Sequence, residues 1–293
     1  MNDSAKIAGS RVILLGARSR AAEAIRQAMP GADITGIVRS HPREGEIATS
    51  GYTVVPDDVS LEGAVIVNCV GSPRGDADAL RKVNHDVPVS WATAGKAAGA
   101  AGMVQISSFS IFGPAERVDA DTPAHPVTDY GRSKLAAEEA LAGIADAGFP
   151  IALLRVPILV GGGSDKLAQL VALARRTGLV PAASYPTPRS MLPYQGLALA
   201  VRKAVAERLS GPVFAADPEP FTPALLQDVA RDAGKTVRQL PLPAPATWLI
   251  GRALPGLYAS LLSPSLLAPE VNLLAHERPS VGLRDIIARL FAA

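Results

Sequence analysis

The sequence predicts an α/β fold, a doubly wound parallel sheet followed by a smaller region of mixed helix and strand. Three observations predict it: short branched apolar runs recur through the first half, helical stretches separate them, and a glycine turn closes the first run. Strands that are apolar throughout are those buried on both faces, and their alternation with helices gives a parallel sheet covered on both sides.

The elements follow in order. Residues 11–15 (RVILL) form a strand ending at Gly16, and 21–29 reads as a helix closed by Pro30 and Gly31. Strands are expected at 34–39, 52–55 and 64–70, helical material over 76–101, a strand at 103–107, a helix over 129–147 and a strand at 151–156. After Gly161 the rhythm changes to the loop GGGSDK, a helix at 167–176 and a proline-rich passage at 181–193. Then come a helix at 196–207, a strand at 213–215, a helix at 223–233, a strand at 237–240 and two further apolar helices. The expected division is therefore 1–161 for the sheet domain and 162–293 mainly for a substrate-binding region, which is free to return strands or helices to the first.

Composition narrows the function. With 29 basic and 27 acidic residues spread along the chain, no basic run exists to track a phosphate backbone, so nucleic acid is not an expected partner. A single cysteine, Cys69, excludes an intramolecular disulfide, and the first residues lack the apolar stretch of a secretion signal, which together point to the cytoplasm. The apolar stretch 246–262 is interrupted by Arg252, Pro255 and Gly256 and reads as a packed helix rather than a membrane span. His41, His85, His125 and His276 have no metal-ligand spacing, and no metal is expected. Trp91 and Trp248 read as packing residues, and Cys69 as a small core hydrophobe.

The turn after the first strand, Gly16-Ala17-Arg18-Ser19-Arg20-Ala21-Ala22, keeps the spacing with which a Rossmann-type fold lets backbone approach a pyrophosphate at a helix N-terminus. Only the first glycine of that pattern remains. The second strand ends at Arg39, with Arg43 close behind, where NAD-binding chains place a carboxylate for the ribose 2′-OH. Arg18, Arg20, Arg39 and Arg43 suit a 2′-phosphate, so NADP is the expected cofactor, with NAD the alternative.

Tyr130 and Lys134, in YGRSK, stand at i and i+4 on one helix face. A cation beside a phenol favours phenolate and brings its pKa toward the working range of an acid-base catalyst. Ser108, at the end of the strand 103–107, is the hydroxyl expected to hold the substrate oxygen, because ligands collect at strand C-termini.

On these residues the chain resembles the extended short-chain dehydrogenase/reductases, the group of nucleotide-sugar epimerases, dehydratases and 4-keto-sugar reductases. LLGARSRAA, Asp58-Val59, VNCVG, Asn84, ISSFSIFG, YGRSK and RVPILVG fall in the family's order. The resemblance implies that Tyr130 is the general acid-base, that Lys134 lowers its pKa and holds the nicotinamide ribose, and that Ser108 orients the substrate. It implies cofactor contacts at Gly16, Ser19, Ala21, Asp58, Val59, Cys69, Val70, Gly71, Asn84, Val156 and Pro157, and a contact of Arg189 with a nucleotide diphosphate. It also implies a homodimer. Gln195-Gly196 stand where relatives commonly carry an acidic pair, and PILVGGG lacks the asparagine that many epimerases use. The expected activity is NADP(H)-dependent reduction of a keto group, C4 of a nucleotide-linked sugar. The alternatives are an NAD-dependent epimerase or dehydratase, and a dinucleotide sensor without turnover.

Overall fold

The computed structural model describes residues 7–163, 165–183, 185, 187–253 and 263–293. The chain forms two compact units. The first comprises residues up to Gly113, Pro123–Val156 and Leu197–Ala215, and the second Pro114–Thr122, Pro157–Gly196 and the residues from Ala216 onward.

Seven parallel strands build the first unit: β1 Arg11–Leu15, β2 Asp33–Val38, β3 Glu46–Ala48, β4 Val65–Asn68, β5 Gly102–Ile106, β6 Ile151–Arg155 and β7 Gly211–Phe214, in the order β7-β6-β5-β4-β1-β2-β3. The helices are α1 Arg20–Ala28, α2 Ala77–Arg81, α3 Val87–Ala97, α4 Asp129–Ile144 and α5 Tyr194–Ala206, with a π-turn at Lys82–Asp86 joining α2 to α3. The strand order reverses between β1 and β4, and the crevice outside the strand C-termini at such a point is where open α/β sheets take ligands. Ile13, Leu15, Ile37, Ile66, Met103 and Leu153 bury one sheet face against Trp91, Ala92, Leu141 and Phe149. Removal of this apolar surface from water is the main stabilising term.

Local chemistry sets the elements that matter for the site. Gly16 takes φ +68 at the end of β1, a conformation open to glycine at no steric cost. Ser19 then caps α1, its hydroxyl accepting from the Ala22 amide at 3.2 Å. Thr128 caps α4 the same way, accepting from the Gly131 amide at 3.0 Å.

Two expectations are corrected. The strand expected at 52–55 is a turn, and β3 is Glu46–Ala48 instead. Thr49 Oγ1 lies 2.8 and 2.9 Å from the carbonyl oxygens of Gly51 and Val54, and the Trp91 indole donates to the Tyr52 carbonyl at 2.7 Å, so this backbone is satisfied without a ladder. Trp91 is fully buried, but Trp248, expected to pack, is 64% exposed on the helix Ala244–Ala253, with the Arg252 guanidinium 5.2 Å from its ring. Residues 254–262 of that apolar stretch lie outside the described residues.

The second unit holds three two-stranded parallel pairs: Ile158–Val160 with Met191–Pro193, Leu179–Ala183 with Arg238–Leu242, and Arg117–Val118 with Leu266–Leu267. Helices Lys166–Thr177, Pro223–Asp232 and Leu283–Ala292 close a core of Leu167, Val171, Leu226, Val229, Leu283 and Ile287. Among the described residues no helix is long and apolar enough to cross a membrane.

Candidate active site

Ser108, Tyr130 and Lys134 come together in the first unit. Ser108 follows β5 and caps the short 3-10 turn Phe109–Phe112, its Oγ accepting from the Ser110 amide at 3.1 Å. Tyr130 and Lys134 lie on the first turns of α4, with the Lys134 ammonium 6.0 Å from the centroid of the phenol ring. That ammonium is buried and donates to the Ile106 carbonyl at 2.9 Å, which pins α4 to the C-terminal end of β5.

Gly131 permits this approach. A Cβ there would lie 2.4 Å from the Ser110 carbonyl oxygen and 3.1 Å from Pro126 Cβ, so α4 meets the serine segment at backbone distance. Gly131→Ala is expected to destabilise the protein by about 1 to 3 kcal/mol through this overpacking. Urea unfolding measures that loss, and an unchanged midpoint would contradict the close approach.

The electrostatics correct the expectation for the phenol. Burial pushes Tyr130 above its ordinary value, opposed by hydrogen bonding from Ser108. Lys134 itself is lowered to about 8, chiefly by burial, with Glu138 and then Cys69 opposing. The phenol is therefore protonated at neutral pH, the form that donates.

The cofactor-side residues occupy the strand ends of the same unit. The amides of Gly16 and Ala17 donate to the Ile37 carbonyl at 3.2 Å, and that of Ser19 to the Gly16 carbonyl at 2.9 Å. Those of Arg18, Arg20 and Ala21 have no partner among the described residues. The side chains of Arg20, Arg39 and Arg43 are exposed. Arg18 is not free as expected: it pairs with Glu46 of β3 through Nη2 to Oε2 at 2.7 Å, and its Nη2 also meets the His41 carbonyl. Glu46 further accepts from the Arg43 amide at 2.9 Å, and its carboxyl is held below its usual range by Arg18. A carboxylate thus stands beside the turn, where the sequence promised only arginines.

Asp58 is exposed, while Val59 is buried in the core. Val70 abuts Gly16, its Cγ2 lying 3.1 Å from where a Gly16 Cβ would be. The Cys69 thiol is pushed up to about 12 by burial. Asn84 is fully buried and holds the loop after β4, donating to the Ser72 carbonyl at 2.9 Å and accepting from its amide at 2.9 Å. Val156 accepts from the Phe109 amide at 2.9 Å. Pro157 opens the second segment of the second unit, Pro157–Gly196, which also contains Arg189. The Arg189 Nη1 donates to the Ser263 carbonyl at 2.7 Å, its buried Nε has no partner among the described residues, and burial lowers its guanidinium to about 10.

Residues 49–180 match the profile of the NAD dependent epimerase/dehydratase family. An uncharacterized protein of Sinorhizobium fredii is 28% identical over 240 residues, which span 75% of this chain and 66% of that relative. Among solved structures, UDP-glucuronic acid 4-epimerase from Bacillus cereus in complex with NAD aligns with a TM-score of 0.71 at 14% identity, over 96% of this chain and 97% of its own. A dTDP-4-dehydrorhamnose reductase from Bacillus anthracis in complex with NADP gives 0.71 at 16% identity, over 97% and 99%. At such identities the likeness is one of fold.

The matched segment and the strand ends around it fit a nicotinamide dinucleotide. The open amides at the start of α1 can meet a pyrophosphate. Gly71 keeps the loop after β4 clear, since a Cβ there would come within 3.3 Å of both Asn84 Oδ1 and Lys134 Nζ. Sequence reasoning missed Glu46, and it missed Glu138 and Arg155, which form with Ser107 a buried network behind the Tyr130–Lys134 face. Glu138 had a signal, standing four residues past Lys134 and so on the same face of α4. Arg155 had another, a lone charge ending the apolar strand IALLR.

Proposed function

We propose that the protein is an NADP(H)-dependent oxidoreductase that reduces a keto group, C4 of a nucleotide-linked sugar. The observation that carries the reading is the protonated Tyr130 phenol beside the Ser108 hydroxyl, at the C-terminal end of β5, with the Lys134 ammonium one helical turn away. The dinucleotide would supply the hydride. Ser108 orients the substrate oxygen, Tyr130 gives its proton to the nascent alkoxide, and Lys134 holds the nicotinamide ribose. Gly16, Ser19, Arg20 and Ala21 would take the pyrophosphate, and the exposed Arg39 and Arg43 a 2′-phosphate. Arg189, with its unsatisfied Nε, is suited to a substrate diphosphate.

A second reading has one observation in its favour. Glu46 neutralises Arg18, which suits NAD and hence an epimerase that returns the hydride to the opposite face of the keto intermediate. Incubating the purified protein with NADPH and a panel of 4-keto nucleotide sugars separates these readings. Loss of absorbance at the reduced-nicotinamide band is the expected result. Isomerised sugar without net redox change selects the epimerase, and saturable binding without either selects a sensor.

The cofactor assignment has its own test. Glu46→Gln leaves the Arg18 guanidinium uncompensated, and the NADP-to-NAD affinity ratio is expected to rise roughly threefold to tenfold. Titration calorimetry with both dinucleotides, at low and at physiological salt, measures it. A ratio unmoved at low salt would remove Arg18 from the 2′-phosphate reading.

A further inference from the structure

Behind the Tyr130–Lys134 face, α4 turns a second charge inward. Glu138 is 3% exposed and receives the Ser107 hydroxyl on Oε1 and the Arg155 guanidinium on Oε2, at 2.7 Å from Nη2 and 3.0 Å from Nε. The Arg155 guanidinium also lies 5.3 and 5.4 Å from the ring centroids of Phe112 and Phe214, which screen it from water. A buried ion pair of this kind adds little net stability over an apolar pair, because desolvation offsets its attraction. Stability alone therefore gives no reason for it.

Its connections give one. Ser107 immediately precedes Ser108, Arg155 precedes Val156, whose carbonyl takes the Phe109 amide at 2.9 Å, and Glu138 stands one turn beyond Lys134. Each member of the network is joined by backbone to a member of the site. The groups around Lys134 are few. On α4 they are Tyr130 and Glu138, at the end of β4 the Cys69 thiol, at the end of β5 the Ile106 carbonyl, and beyond Glu138 on β6 Arg155. The π-turn packed against α4 directs the His85 ring onto Asp86 at 2.7 Å.

We infer that Glu138, held by Arg155 and Ser107, is a positioning residue that fixes the Lys134 ammonium at the site and keeps it charged. Burial works to strip that proton, and the Glu138 carboxylate, one helical turn away, is the main influence opposing it. Arg155, 2.7 Å from that carboxylate, offsets part of its pull on Lys134. The carboxylate thereby sets how much of the lysine is cationic near neutral pH. For its meaning in catalysis the inference rests on the oxidoreductase reading, but the coupling is a property of the free protein.

Carbon NMR of protein labelled at the lysine Cε, with the Lys134 signal assigned through Lys134→Arg, reads the titration without dinucleotide or substrate. In Glu138→Gln the midpoint is expected to fall by about one pH unit from its starting value near 8. In Arg155→Met it is expected to rise, since Glu138 then acts on the lysine alone. Where Glu138→Gln does not fold, the double variant Glu138→Gln/Arg155→Met leaves no unpaired buried charge, and it too should titrate below the unmodified protein. An unchanged midpoint, or shifts of the same sign in both single variants, would overturn the inference, because mere loosening of α4 has no reason to reverse sign with the charge removed. A protein that shows this coupling yet neither binds nor turns over a dinucleotide would sink the oxidoreductase reading and leave this one in place.

Discussion

Tyr130→Phe is expected to lower turnover by about two to four orders of magnitude while leaving dinucleotide affinity within a factor of about two. The size follows from what the substitution removes. A phenol that gives its proton in the transition state is lost, whereas ring volume and packing on α4 are kept. The half-buried ring, the Ser108 contact and the raised pKa all place the neutral phenol as a donor below its titration. Activity should therefore hold through neutral pH and decline on the alkaline side as donors deprotonate. Steady-state oxidation of NADPH with the substrate found in the panel checks the rate, and calorimetry checks the binding. A Tyr130→Phe protein as active as the original would end the enzymatic assignment.

Lys134→Met is expected to move activity and stability in opposite directions. Turnover should fall by at least about a hundredfold, because the proposed hold of the ammonium on the nicotinamide ribose is lost. Stability should rise by about 1 to 3 kcal/mol at pH 7, and the sign follows from linkage. Lys134 titrates near 8 in the fold and near its ordinary 10.5 in the unfolded chain, so between those values the unfolded state binds more protons. The penalty for burying the ammonium is fully present below pH 8 and is relieved as the pH rises toward 10.5. Met fills a similar volume without a charge, so its advantage at neutral pH should fade above about pH 10. The unmatched Ile106 carbonyl offsets part of the gain. Urea unfolding of both proteins at pH 7 and pH 10 checks this, and a less stable Lys134→Met protein at pH 7 would mean that the lysine is held without cost.

The route from sequence to site was uneven. Strands β1, β2, β4, β5 and β6 were legible because their apolar runs are bounded by glycine, proline or polar residues, and α1 because Pro30 and Gly31 close it. β3 was not legible: Glu46–Ala48 is only three residues long and opens on a charge, while the more apolar 52–55 gives its carbonyls to Thr49 and Trp91. Tyr130, Lys134 and Ser108 could be named because helical spacing and a strand end fix them locally. The role first given to Lys134 was not legible. Two residues four apart share a face, but only coordinates tell that the ammonium goes to the Ile106 carbonyl and that burial dominates the phenol.

The sequence by itself determined the sheet class, most of its strands and helices, and the choice of Ser108, Tyr130 and Lys134 as candidates, since these follow from periodicity and spacing along one chain. Only the tertiary structure decided that Glu46 claims Arg18, that Glu138, Arg155 and Ser107 join three separate elements behind the site, and that Gly131 lies against the Ser110 carbonyl. The reason is physical. Charge pairing, desolvation and close approach depend on distances between residues far apart in the chain, and no local pattern carries those distances.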